Sequence, residues 1–267
     1  MHTPFSRKFL QFTILLAIFV LVFSDSYSQW IPTKGKNGTL VTMKYGEFNQ
    51  FYDPAGNLIS QNSKFNRFDI DIFNITGISE EVAFFVKFGI AKLTNQDPVR
   101  GTTSSFGFKN PSIGLVYQLF KGPPVMGLEL EATLPIHFPK DVSPALDADF
   151  ATYGVGFTMG NGMRLFRMPS FYSTGLKYKF RGAADAGEEV SFYFTLGSSF
   201  NRYTSWAATF ESNRGLSGNP QSSTKLSGSI SQKISKTTSL SFGTEYIVTG
   251  KNVSTGPSIF VGFNFGY

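Results

Sequence analysis

Residues Pro257 to Tyr267, PSIFVGFNFGY, decide the fold. Ile259, Val261, Phe263, Phe265 and Tyr267 fall on one parity; Phe260, Gly262, Asn264 and Gly266 fall on the other. Side chains of a strand point alternately to opposite faces, so this segment shows one unbroken apolar face ending in an aromatic carboxyl terminus. In a soluble sheet such a face needs a second protein layer. In a membrane barrel lipid covers it, and aromatics sit where hydrocarbon meets water.

The amino end of the chain supplies the companion signal. Arg7 and Lys8 precede an apolar run from Phe9 to Phe23, and small residues follow around Ser26-Tyr27-Ser28. This is the three-part layout of a secretory signal peptide, with cleavage before Gln29. The run is shorter than the roughly twenty residues a helix needs to span a bilayer. No later stretch approaches that length, so an exported chain that belongs in a membrane must enter it as strands. The predicted organisation is a signal peptide over 1–28, a short periplasmic segment over 29–37 and a barrel over 38–267. In that setting Phe263, Phe265 and Tyr267 resemble the sorting signal of bacterial outer-membrane barrels. The resemblance implies two partners, the barrel-assembly machinery and the lipid of a Gram-negative outer membrane.

Composition agrees with this reading and excludes others. The chain has 267 residues and a formal net charge of +6. Losing Arg7, Lys8 and Asp25 with the signal peptide leaves +5. The charges are dispersed, without a basic stripe interleaved with stacking aromatics, so no nucleic-acid partner is expected. Cysteine is absent, which removes disulfides, thiol catalysis and cysteine-ligated metals. Only His137 survives signal cleavage, so neither a metal nor another cofactor is expected. Charged residues make up 16%, below the roughly 25% of soluble domains. Mean hydropathy is close to zero, as expected where polar lumen residues alternate with lipid-facing ones.

The alternation predicts about twelve antiparallel strands in an all-β, up-and-down transmembrane barrel. They cover approximately residues 40–51, 65–75, 82–93, 111–120, 125–136, 150–159, 170–181, 190–200, 205–211, 225–234, 239–249 and 257–267. Asn95 to Ser105 and His137 to Asp149 read as long loops, and Asn161-Gly162 as part of a link. Connections before the odd-numbered strands are short and those before the even-numbered ones generally longer. Barrels with short periplasmic turns, longer outer loops and an even strand count show this pattern.

The parity opposite the apolar face predicts a lumen lined by Lys44, Asp69, Asp71, Lys87, Glu129, Glu131, Lys177, Lys179 and Glu245, with Lys225 and Lys233 on the same face. Both signs are present, which argues against a single-sign ion filter. Two readings remain open: a salt-bridge network that fills the interior, or a polar lining along a passage. Gly154 and Gly156 are read as space on the lumenal surface and not as a nucleotide fingerprint. His137 lacks a G-x-S-x-G partner, so catalytic residues and enzymatic activity are not expected.

The middle of the chain is similar to one group of bacterial outer-membrane proteins, the meta-pathway of phenol degradation family, and distantly to the FadL-type channels for hydrophobic compounds. Three blocks carry the likeness: FGFKNPSIGLVYQLF (106–120), LELEATLPIHFP (128–139) and STGLKYKFRGAADAGEEVSFYF (173–194). Asn110-Pro111 stand where a Gly-Asp pair is typical of the group. The resemblance implies passive movement of a small hydrophobic or aromatic solute across the outer membrane. Phe51, Tyr52, Phe106, Phe108 and Phe138 are the aromatic candidates near the outer loops. Residues 29–37 are too short to form the hatch that plugs fatty-acid channels. The alternative is a closed structural or accessory barrel that works through its loops or a partner protein.

Overall fold

The computed structural model describes residues 31–136, 146, 150–181, 187–217 and 221–266. The predicted signal peptide, His137, Phe138 and Tyr267 lie outside the described residues. The strands are, in chain order, β1 (Asn37–Tyr52), β2 (Leu58–Gly77), β3 (Val82–Asp97), β4 (Gly101–Phe108), β5 (Ser112–Phe120), β6 (Val125–Thr133) and β7 (Thr152–Leu165). They continue as β8 (Met168–Arg181), β9 (Glu189–Ser199), β10 (Thr204–Gly215), β11 (Ser222–Lys233), β12 (Thr238–Lys251), β13 (Val253–Thr255) and β14 (Ser258–Gly266).

Sequential neighbours pair antiparallel, and β1 pairs with both β2 and β14, so the sheet closes on itself. Two staves are interrupted. β4 and β5 both pair with β3 and are separated at Lys109-Asn110-Pro111. β13 and β14 both pair with β1 and are separated at Gly256-Pro257. Counting each interrupted pair once gives a twelve-stave barrel, as the alternation predicted. Both interruptions coincide with a proline, which lacks the N–H that a ladder needs. At the second one the backbone fits tightly: a Cβ on Gly256 would strike the Glu47 carbonyl, while the Glu47 N–H donates to the Pro257 carbonyl at 3.2 Å.

One face of every stave is apolar and open. Val41, Met43 and Tyr45 of β1 lie opposite Phe263, Val261 and Ile259 of β14. Phe84 and Phe88, Ile113 and Leu115, Val155 and Phe157, Leu226 and Ile230, and Phe242 carry the band around the wall, all exposed. No second protein layer covers it among the described residues. So much contiguous apolar surface on an isolated sheet marks contact with lipid. No helix among the described residues is long and apolar enough to cross a membrane; the crossing is made by strands.

The expectations needed correction at the end away from the termini. Asn95 to Ser105, expected as a long loop, is the tip of the β3–β4 hairpin, paired from Ile90–Phe108 to Asp97–Gly101. The Asp97 carboxylate accepts the Val99 and Arg100 N–H groups at 2.8 and 2.9 Å and closes the turn. β2 likewise starts at Leu58 and runs for 20 residues. At ~3.3 Å per residue and a tilt of ~40° it rises ~50 Å, about twice the ~25 Å apolar band. These extensions stand in water on both faces, so their sequence carries no apolar alternation. Asn161-Gly162 lies within β7, and the chain reverses at Phe166-Arg167, both at positive φ (51° and 66°).

At the end bearing both termini, the connections span residues 78–81, 121–124, 166–167, 200–203 and 234–237. This end faces the periplasm in barrels of this type. The Lys121 ammonium donates to Glu81 at 2.7 Å, joining two adjacent turns. That hydrogen bond holds the Glu81 carboxyl below its ordinary range and raises Lys121.

Candidate functional site: the barrel lumen

The face opposite the apolar band carries the charges, and they pair across the staves. Lys177 of β8 bonds Glu129 at 2.5 Å and Glu131 at 2.6 Å, both on β6. Between those strands lies β7, whose Gly156 and Gly154 stand opposite Glu129 and Glu131. A Cβ at either glycine would press on the Lys177 stem at 3.3–3.4 Å. The glycines are thus a floor over which a long side chain reaches the second strand along. Lys87 of β3 crosses β5 in the same way to Glu131 at 2.8 Å, and Lys44 of β1 crosses β14 to Glu245 at 3.1 Å. Small residues stand on the crossed strands at Ser112 and Gly114, and at Ser258.

The remaining charges extend the network. Glu245 also meets Lys225 at 3.7 Å, and Lys225 bonds Glu211 at 2.9 Å. Asp69, which is buried, accepts from Arg67 at 2.8 Å and faces Lys109 at 3.4 Å; Lys109 reaches Asp71 at 2.6 Å. Glu189 is bracketed by Lys179 at 2.8 Å and Arg181 at 2.6 Å. All nine predicted lumen residues therefore lie in ion pairs on one surface. Sequence reading missed Arg67, Lys109, Arg181, Glu189 and Glu211. Arg67 shares its parity with Asp69 and Asp71 and was open to discovery. Lys109 sits in the interruption between β4 and β5, where alternation gives no guidance.

Beside this network lies a cavity of about 300 Å³ in the half of the lumen away from the termini. Its charged side includes Lys44, Arg67, Asp69, Glu211, Lys225 and Glu245, and Phe48, Phe65 and Val253 supply apolar contact. The Phe48 and Phe65 rings lie 5.8 Å apart, tilted by 44°. Nearby, Leu146 of the long 134–151 connection is buried against Ala91 and Leu93 of β3, with Phe65 packed on the cluster. A substituted single aromatic ring fits such a volume, since a cavity of ~150 Å³ holds benzene.

The aromatic candidates read from sequence are placed elsewhere. Phe106 and Phe108 of β4 are 70% and 62% exposed and stand opposite Lys92 and Ile90 on the outward parity. Tyr52 is buried and its hydroxyl donates to the Val248 carbonyl at 2.7 Å; Phe51 beside it is half-buried. Phe138 is outside the described residues. The aromatics that reach the cavity are Tyr246 of β12 and, on the lumenal parity of β1 and β2, Phe48 and Phe65. Phe48 shares the parity of Lys44, and Phe65 that of Asp69, with no register shift between them, so the count that selected the lumenal charges also reaches these rings.

A closed antiparallel barrel with lipid-facing staves and a charge-paired interior is a transmembrane barrel of the Gram-negative outer-membrane kind. Solved structures share this fold. An outer membrane channel from Pseudomonas putida F1 superposes over 92% of this chain and 100% of its own, with a TM-score of 0.70 at 12% identity. The translocator domain of the autotransporter NalP from Neisseria meningitidis covers 97% of this chain and 98% of its own, with a TM-score of 0.52 at 11% identity. The β domain of the Bordetella autotransporter BrkA covers 88% and 100%, with a TM-score of 0.51 at 11% identity. No family model matches the sequence, and neither does any curated protein.

Proposed function

We propose that the protein is a passive channel for small hydrophobic or aromatic compounds across the outer membrane. The observation that carries this reading is the lumenal cavity, in which the Phe48–Phe65 pair faces an ion-paired floor. Burial of an apolar ring against these aromatics supplies binding, and the concentration gradient supplies direction; no energy coupling is needed. Lys44, Lys225 and Glu245 present hydrogen-bonding groups to a polar substituent on the solute. The fold shared with an outer membrane channel supports the reading. The test is uptake of alkylphenols or fatty acids into liposomes carrying the purified protein. Faster entry than into empty vesicles is expected, and equal rates would remove the proposal.

A second reading, a closed accessory barrel, draws on the pairing of lumenal charges and on Leu146 packed against β3. It expects no conductance in a planar bilayer and co-purification with another envelope protein. The shared fold does not separate the two, because it extends to autotransporter domains.

A further inference from the structure

A second cavity, of about 320 Å³, lies at the periplasmic end between residues 200–203, residues 234–237 and the end of β14. Ser199, Ser205, Ser231 and Ser239 line it with hydroxyl groups and Asn264 with an amide. Their register places these five on the lumenal parity. Three cations complete the wall, Arg202, Lys233 and Lys236, and no aspartate or glutamate is among the described lining residues. Every cation of the network above meets a carboxylate at 3.7 Å or less. None of these three has a carboxylate partner among the described residues.

The frame that carries them is tied down. The Asn201 side-chain oxygen accepts the Tyr203 and Thr204 N–H groups at 2.8 and 2.9 Å. The Lys233 N–H donates to the Tyr203 carbonyl at 2.7 Å, and the Gly266 N–H to the Thr237 carbonyl at 2.9 Å. The Arg202 guanidinium rests 4.6 Å from the Tyr203 ring centre. Arg202, Lys233 and Lys236 are exposed, and three like charges around one cavity favour a counter-ion, with a strength that water screens. A tetrahedral oxyanion offers several acceptors to the guanidinium fork, two ammonium groups and the hydroxyls at once.

We propose that this mouth is a binding site for an oxyanion of the phosphate type. Arg202, Lys233 and Lys236 supply the charge, and the serine hydroxyls supply additional donors. The lumenal parity of the floor admits a soluble phosphate or phosphate ester from periplasmic water. A phospholipid headgroup of the inner leaflet carries the same chemistry.

The test titrates the full mature barrel with inorganic phosphate, first in neutral detergent and then in lipid nanodiscs, following heat or phosphorus-31 line broadening. Saturable binding is expected. It should weaken by roughly tenfold or more when Arg202→Gln, Lys233→Gln and Lys236→Gln are combined, a loss of about 1.4 kcal/mol or more. An unchanged thermal midpoint in that variant shows that the fold is intact. Lys121→Gln, at a different pair of turns, should leave binding unchanged. Equal phosphate affinity in phosphatidylcholine and phosphatidylglycerol nanodiscs identifies a soluble ligand; loss confined to phosphatidylglycerol identifies a headgroup as occupant. Absent binding, or binding unaltered in the triple variant, would overturn the proposal.

Discussion

The two arcs of the barrel wall line the lumen differently. From β2 to β8 the inward face bears long charged side chains: Asp69, Asp71, Lys87, Glu129, Glu131, Lys177 and Lys179. From β9 to β12 the charges Glu189, Glu211, Lys225 and Glu245 lie in the half away from the termini. Toward the periplasmic end the face bears Thr195, Thr209, Ser227, Ser229, Ser231 and Ser241. Thr195 and Thr209 join hydroxyls at 2.9 Å. The first arc is fixed by ion pairs, whereas the second carries short hydroxyl side chains in its periplasmic half. In this barrel charge serves cohesion, and for the proposed channel the hydroxyl arc is the expected route.

The comparison breaks most visibly at Lys177. Lys177→Met leaves Glu129 without a cation and Glu131 with Lys87 alone, and should cost about 3 kcal/mol, the scale for orphaning a part-buried charge. Urea unfolding of the barrel in lipid vesicles would measure it. Adding Glu129→Gln and Glu131→Gln should recover part of the loss. Filling the other arc should have the opposite profile. Ser229→Trp is expected to bring solute uptake toward the empty-vesicle rate while the unfolding midpoint stays near wild type. A large loss of stability with unchanged uptake would show that the route runs elsewhere.

Between the arcs lies the aromatic contact. Removing both rings with Phe48→Ala and Phe65→Ala should weaken alkylphenol binding about tenfold, or ~1.4 kcal/mol, measured by calorimetry. The smallest effect is expected at the exposed pair on the periplasmic rim. Glu81 is held below its ordinary value of 4.5, so its contribution is present above that pH and fades as the pH falls through the lowered value. Wild type and Glu81→Gln should differ slightly in thermal midpoint at pH 7 and converge in acid.

The wall was legible because lipid outside and water inside impose a period of two. Ile259, Val261, Phe263 and Phe265, and Phe84, Val86 and Phe88, follow it. Where that contrast ends, so does the signal. Gln96 and Thr102 pair as strand residues, yet both faces there are wet and the sequence reads as loop. The same parity collects charges that the structure places in ion pairs, but it does not give their partners. Lys87 meets Glu131 across an intervening strand, a choice set by small residues at Ser112 and Gly114 and by barrel curvature. The Phe166-Arg167 reversal escaped notice because neither residue is the glycine or asparagine that such a turn favours.

Gly256 bears on how the cylinder is completed. Its bare backbone forms a notch filled by the Glu47 carbonyl, at the seam where β1 meets β13 and β14. Sliding that seam by one residue would turn Phe263 and Phe265 toward water and Asn264 toward lipid. The close fit of Gly256 against Glu47 favours the observed register over a slipped one. Gly256→Ala should accordingly appear as slow, heterogeneous assembly.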